Sequence, residues 1–201
     1  MKWIFFDLGA TLVDEREVYK SRCGYACDKA GIGLDEFMDR VYEKAKTSPT
    51  PIRDSAKDYG VVLPEWDNSL EKLYDGVYDV LESLHGRYRL GIIANQTLGT
   101  KTRLDAWGIG HFFDVVVASA EAGCAKPDLS IFEMALNKAD CEASDAFMVG
   151  DRLDNDIIPA KKLGMKTVWV RQTYAVYQSV DDENKRPDHT IDSISELKDL
   201  F

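Results

Sequence analysis

Five short, β-prone apolar runs constrain this chain more than anything else in it: Trp3–Phe6, Arg89–Ala94, Asp114–Ala118, Ala146–Val149 and Lys166–Val170. Each is short for a helix and ends at Gly or a polar residue, the pattern of buried strands. From Gly76 onward they alternate with stretches of helical period: Gly76–Leu84, Gly99–Trp107, Leu129–Lys138 and Ile157–Leu163. Strands alternating with helices of this length form βαβ units, which predicts an α/β fold with a parallel sheet. The tail Ser179–Pro187 reads as a polar loop, and Ile194–Phe201 as a last helix.

Between the first run and Gly76 the character changes. Apolar residues recur at helical spacing in Val18, Cys23, Ala26 and Ala30, and again in Leu34, Phe37, Val41 and Ala45. Gly31 and Gly33 separate the two sets, and two prolines in Thr47–Pro51 make a break. Ile52–Tyr59 and Ser69–Tyr74 read as further short helices. The expectation is an all-helical insertion over 15–75, with 1–14 and 76–201 as the core. The insertion leaves the sheet at the carboxyl end of the first strand, where open α/β folds bind ligands. It is therefore placed to act as a cap that closes over a site.

The chain has 201 residues and a formal net charge of -10, without a basic block. That balance repels nucleic acid and anionic lipid, so neither is an expected partner. No apolar run approaches the ~20 residues needed to span a bilayer, and Asp7 interrupts the only N-terminal apolar stretch, so no signal peptide is expected. Cys23, Cys27, Cys124 and Cys141 form no C-x-x-C pair, and no His stands at zinc-site spacing from them. Reduced thiols suit a cytoplasmic location. A monomer or weak homodimer is expected.

Four strand ends carry the polar groups, and a parallel sheet brings them to one edge. The first supplies Asp7. The second supplies Asn95, Gln96 and Thr97. The third leads through Ser119–Ala125 to Lys126, Pro127 and Asp128. The fourth is densest, with Asp151, Asp154 and Asp156 within six residues after Gly150. Carboxylates so close repel unless a cation is shared, and oxygen-only ligands select a hard cation such as Mg²⁺. Some of these aspartates also cap the helix that follows. A carboxylate nucleophile, a hard cation and a lysine at an anion-favouring edge match phosphoryl transfer.

The opening F-D-x-x-x-T-L-V-D, the later K-P-D-x-x-I-F and the V-G-D-x-x-x-x-D-I-x-x-A-K-x-L-G-M together resemble the haloacid dehalogenase superfamily over nearly the whole chain. The resemblance implies a Rossmann-like core with a helical cap inserted after the first motif, and a Mg²⁺-dependent phosphatase of a small phosphorylated metabolite. It implies Asp7 as nucleophile and metal ligand, forming an aspartyl-phosphate. The backbone carbonyl of Gly9 and the carboxylate of Asp151 are then further metal ligands. Asp156 is a water-mediated or outer ligand, and Lys126 holds phosphate and nucleophile together. Asn95 and Gln96, with Lys126, are the implied substrate-binding side chains.

Two positions depart from the pattern. The family's phosphatases carry a second aspartate two residues after the nucleophile, which protonates the leaving group and then activates water; here it is Gly9. Their second strand ends in Ser or Thr, whose hydroxyl binds phosphate; here it is Ala94, followed by the usual Asn95. Loss of a general acid/base typically costs about 10²–10⁴ in rate. Asp14 and Glu15 are the nearest acids in sequence, but Asp14 matches a family position beyond the active-site turn, which implies a structural role, and no clear substitute stands out. Two other readings stay open: a catalytically weakened protein that binds a phosphorylated ligand for regulation, and a phosphonatase using a cap lysine among Lys20, Lys29, Lys44 and Lys46. A dehalogenase fits poorly with the acidic loop 150–156. Helical periodicity alone does not say which of Tyr19, Arg22, Tyr42 or Arg53 faces the site.

Overall fold

The computed structural model describes residues 1–180 and 182–201. Six parallel strands form one sheet in the order β5-β4-β1-β6-β7-β8. They are β1 (Trp3–Phe6), β4 (Arg89–Ala94), β5 (Val115–Ala118), β6 (Ala146–Gly150), β7 (Lys166–Val170) and β8 (His189–Ile191). The β1 strand lies at the centre, paired to β4 on one side and β6 on the other. The chain order runs outward from β1 in both directions, so a crevice opens at the carboxyl end of β1, the expected ligand position in such sheets.

The period of two along β1 divides its side chains between two cores. Ile4 and Phe6 pack with α4 (Val77–Leu84), Leu104 of α5 (Thr100–Ala106) and Leu197 of α9 (Leu197–Leu200). Trp3 and Phe5 face the other way, onto α7 (Leu129–Ala139) and Ala160 of α8 (Ile158–Lys162). Full burial of one such aromatic is worth about 1.5–3 kcal/mol, so this strand anchors both layers. The approach is close: a Cβ added at Gly91 of β4 would lie 2.6 Å from the Phe5 ring. Parallel βα units covered on both faces make this the expected α/β, Rossmann-like fold.

Three helices leave the sheet after β1: α1 (Arg16–Ala30), α2 (Leu34–Ala45) and α3 (Pro51–Asp58). They gather a hydrophobic cluster of their own around Cys23, Ala26, Phe37, Val41, Ile52 and Ala56. Cys23 and Cys27 are free thiols buried in it, as small hydrophobes.

The region 15–75 is not all helical. Ser69–Tyr74, expected as a helix, is a 3₁₀ turn at Asn68–Leu70 followed by β3 (Lys72–Leu73). The β3 strand pairs antiparallel with β2 (Val13–Asp14), Leu73 opposite Val13. A two-residue ribbon carries no periodic signal, and its pairing partner is far away in sequence. The β8 strand was also not visible, being three residues at the sheet edge with two exposed. A π-turn at Leu153–Ile157, not expected from the sequence, precedes α8, which occupies most of the expected helix Ile157–Leu163. In the tail, Glu183–Lys185 makes a 3₁₀ turn, and Asp181 of the expected loop lies outside the described residues. Only the second half of the expected last helix is α-helical, behind a capping box formed by Ser193 and Glu196. No helix among the described residues is long and apolar enough to cross a membrane.

Candidate active site

The loop after β1 folds back on itself. Leu8 offers its carbonyl to the amides of Leu12 and Val13 at 3.0 and 2.8 Å, and Ala10 donates to the Val13 carbonyl at 2.8 Å. Ala10 takes a left-handed backbone, φ 55, at the apex. This fixes Asp7 at the strand end, and its own amide is bonded to the Val149 carbonyl of the neighbouring strand at 2.8 Å. Just beyond, Asp14 accepts from the Arg16 amide at 3.0 Å and pairs with the Arg16 guanidinium at 2.6 Å. The Arg16 hydrogen bond holds the Asp14 carboxyl below its ordinary range. Asp14 is occupied in starting α1, the structural role that its family position implies.

The strand-end residues converge. Lys126 Nζ lies 2.6 Å from Asp7 Oδ1 and 2.6 Å from Asp156 Oδ1. The lysine side chain is 2% exposed, so these contacts are made away from water. Burial works against its charge, yet Asp156 and Asp7 hold its ammonium above the ordinary range. Its backbone is clamped by Asn95, whose amide donates to the Lys126 carbonyl at 2.9 Å and accepts from the Lys126 amide at 2.8 Å. Asn95 thus spends its side chain on placing the lysine. Gln96 accepts from Arg103 at 2.8 Å. Both still line the cavity described below.

Gly150 lets the fourth strand end close up: a Cβ there would lie 2.5 Å from Asp156 Cγ. The Asp156 carboxylate accepts from the Arg152 amide at 2.8 Å as well as from Lys126. Asp154 turns away, paired with Arg152 at 2.9 Å and bonded by Gln178 at 3.0 Å. Asp151 is different. Its carbonyl accepts from Trp169 at 2.8 Å, but among the described residues no donor reaches its carboxylate. Burial first, then the charges of Asp156 and Asp7, push the Asp151 carboxyl well above its ordinary range. Burial likewise lifts Asp156 to about 7, against the pull of Lys126.

Asp7, Asp151 and Asp156 offer oxygens that all lie within 4.8 Å of one another. Three buried carboxylates against one ammonium leave negative charge uncompensated, and Asp151 has no donor among the described residues. An uncompensated buried charge is strongly unfavourable, and carboxylate oxygens alone suit a hard divalent cation. The residues present therefore fit Mg²⁺.

These groups form the floor of a cavity of about 210 Å³. Its roof comes from Tyr19 and Arg22 of α1, Thr50, Arg53 of α3, Trp66 and, from the core, Tyr174. Tyr19 sits edge-on to Trp66 and Tyr174, with ring centroids 5.6 and 5.3 Å apart. Arg22 donates to the Pro64 carbonyl at 2.6 Å and stacks over Trp66. Burial, with Arg53 nearby, lowers its pKa. Among the described residues no carboxylate lies in ion-pair range of either arginine. Tyr42, the fourth candidate, turns to Tyr177 at 4.7 Å instead. Trp66 and Tyr174 had no sequence signal as site residues: Trp66 lies in a loop and Tyr174 in a short 3₁₀ turn, both outside any periodic run.

Glu15 also lines the cavity and is buried. The Tyr19 hydroxyl donates to its Oε2. Burial lifts its pKa to about 8, with the Tyr19 bond pulling down and the Asp7 charge adding to the rise. None of Lys20, Lys29, Lys44 and Lys46 reaches the cavity: Lys20 and Lys46 lie beside Glu17 and Glu43, Lys44 binds Asp58, and Lys29 covers Tyr25.

Comparison with known proteins agrees with this geometry. Residues 4–170 match the family model described as haloacid dehalogenase-like hydrolase. The chain is 39% identical to the glyceraldehyde 3-phosphate phosphatase of Methanocaldococcus jannaschii over 229 aligned positions, covering 100% of this chain and 96% of the relative. It is 29% identical to the pyrophosphatase PpaX of Bacillus velezensis over 204 positions, covering 96% and 93%. A HAD phosphatase from Thermococcus onnurineus superposes with a TM-score of 0.67 at 23% identity, over 100% of this chain and 97% of that one, and shares the fold. The match of residues 4–170 and the full-length similarity to the M. jannaschii phosphatase show that the chain belongs to the haloacid dehalogenase-like hydrolases.

Proposed function

We propose that this protein is a Mg²⁺-dependent phosphatase of a small phosphorylated metabolite, with Asp7 as nucleophile. The observation that carries the reading is the ion triplet at the sheet edge: Lys126 held at 2.6 Å from both Asp7 and Asp156, next to an Asp151 carboxylate that no donor among the described residues satisfies. Asp7, the Gly9 carbonyl and Asp151 would hold the cation. Asp156, with both oxygens already engaged, would reach it through water. Bound there, Mg²⁺ supplies charge neutralisation for the phosphoryl oxygens.

The chain's own residues do the rest. Lys126 neutralises phosphate charge and, 2.6 Å from Asp7 Oδ1, holds that carboxylate in place for attack on phosphorus. The bond from phosphorus to the ester oxygen breaks, and an aspartyl-phosphate forms on Asp7. Water then attacks that phosphorus and releases inorganic phosphate. Asn95 acts by fixing Lys126, and Gln96 borders the phosphate position.

Residues 15–75 act as a cap over the core of 1–14 and 76–201. The Arg152 guanidinium already reaches the Ser48 carbonyl across that boundary at 2.8 Å. The cap's unpaired Arg22 and Arg53 favour an anionic substrate, and a cavity of about 210 Å³ favours a small one. The name of the M. jannaschii relative makes glyceraldehyde 3-phosphate the first substrate to test. Phosphate release from a panel of such esters with Mg²⁺, compared with an Asp7→Asn control, tests the reading. Turnover that depends on Asp7 and Mg²⁺ supports it, and a native rate no higher than the control rejects it.

A further inference from the structure

Gly9 removes the side chain that the family's phosphatases use to protonate the leaving group. The structure shows what stands in that volume. A Cβ added at Gly9 would lie 2.8 Å from Cδ of Glu15, 3.0 Å from its Oε2, and closer still to its Oε1. The carboxyl group of Glu15 thus fills the space in which a side chain from position 9 would begin. We infer that Glu15 is the relocated general acid/base of the proposed phosphatase reaction.

The backbone explains how a residue further along the chain reaches the same point. The loop 8–13 doubles back, with Leu12 and Val13 bonded to the Leu8 carbonyl and Gly9 bridged to Val13. Glu15, at the start of α1, is carried back over the loop and aims its side chain at Gly9 Cα. A side chain at position 9 would displace the Glu15 carboxyl, so the glycine leaves that space to Glu15.

The surroundings suit a proton carrier. Glu15 is 6% exposed and shares the cavity with Asp7 and Lys126. Among the described residues, Tyr19 is the only side chain hydrogen-bonded to it, on Oε2. Among those residues no lysine or arginine pairs with it, so its carboxyl is not committed to an ion pair there. Tyr19 is a positioning residue, itself held by Trp66 and Tyr174.

The chemistry balances. As Asp7 attacks phosphorus, the electron pair of the breaking P–O bond passes to the ester oxygen. That oxygen takes the proton of the Glu15 carboxylic acid and departs as an alcohol. Glu15, now a carboxylate, removes a proton from the water that attacks the aspartyl-phosphate. Phosphate leaves, Asp7 is regenerated, and Glu15 is again an acid.

The inference rests on the proposed phosphatase reaction, and the test separates the two. Native protein, Glu15→Gln, and the relocation pair Glu15→Ala with Gly9→Asp are assayed with Mg²⁺ on an alkyl ester, glyceraldehyde 3-phosphate, and on p-nitrophenyl phosphate, whose leaving group needs no proton. Thermal unfolding of each variant checks its fold. Glu15→Gln is expected to lose about 10²–10⁴ in alkyl-ester kcat, the usual size of a general-acid effect. On p-nitrophenyl phosphate it should keep a fast first turnover, seen as a burst of nitrophenolate, followed by slow steady-state release. The relocation pair should recover alkyl-ester turnover at least tenfold over Glu15→Ala alone. Equal losses on both esters with no burst, no loss in Glu15→Gln, or no recovery in the pair would overturn the assignment while leaving the phosphatase reading intact. Native protein inert toward both esters would overturn both.

Discussion

The floor and the roof of the cavity are built on opposite principles. The floor is a set of charges, Asp7, Lys126, Asp151 and Asp156, buried to within 9% exposure. Asp7 and Asp151 sit directly at strand ends, while Lys126 and Asp156 lie on the segments that follow β5 and β6 and are tied in by hydrogen bonds from Asn95 and the Arg152 amide. The roof is a set of aromatic and cationic side chains: Tyr19, Arg22 and Arg53 on helices that pack around their own small core, with Trp66 and Tyr174 beside them. Among the described residues its arginines have no carboxylate in ion-pair range, and its aromatics touch one another edge to face. In the proposed reaction the difference separates two tasks: the floor holds the reacting charges, while the helical side chooses what approaches them. Glu15 stands at the junction, attached to the roof helix but aimed at the floor.

The largest expected effect is at the floor. Lys126→Ala leaves Asp7 and Asp156 buried without their counter-charge, and breaking such a buried pair costs about 3–5 kcal/mol. Denaturant unfolding at neutral pH should show that loss along with loss of turnover. A change below about 1 kcal/mol, the scale of a surface pair, would erase the distinction drawn here.

Next in size is cation binding. Mg²⁺ at a hundred times its dissociation constant should stabilise the native protein by about 2.7 kcal/mol. Thermal unfolding should report that shift, and Asp151→Asn should remove most of it. An undiminished shift in the variant would place the cation elsewhere.

The roof should respond differently. Arg22→Ala removes one charged donor from the substrate's surroundings, a contribution of about 1.5–3 kcal/mol. Steady-state kinetics should show KM raised at least tenfold with kcat nearly unchanged. A fall in kcat with KM unchanged would instead put Arg22 among the floor's reacting groups. The smallest effect is at Lys20, whose side chain is 78% exposed and 3.9 Å from Glu17. Lys20→Ala should change stability and turnover by less than about 0.5 kcal/mol each, and a large loss of turnover would revive a lysine-based chemistry.

The same contrast explains what could be seen in the sequence. The floor was legible because Asp7 and Asp151 directly end apolar runs, Lys126 and Asp156 lie on the polar segments that continue from two such runs, and a parallel sheet brings those ends to one edge. Asp7, Lys126, Asp151 and Asp156 needed no side-chain detail to be placed together. The roof was not legible, because helical periodicity identifies the face that packs and not the face that looks into a cavity. Tyr19, Arg22 and Arg53 turned inward while Tyr42 turned to Tyr177. The β2–β3 ribbon and β8 are too short to show periodicity. Glu15 was a candidate only by proximity. Its placement depends on how tightly loop 8–13 doubles back, a property of backbone bonding that no spacing rule exposes. Asn95 lay where expected but serves the lysine's backbone.

The account stands on Asp7 receiving the phosphoryl group. The most direct measurement is rapid acid quenching during turnover of glyceraldehyde 3-phosphate with Mg²⁺, followed by mass spectrometry of the peptide holding residues 1–14. One added phosphoryl group on Asp7, absent from Asp7→Asn, is the predicted result. Turnover with no phosphoryl group on that peptide, or with the group on another residue, would contradict it.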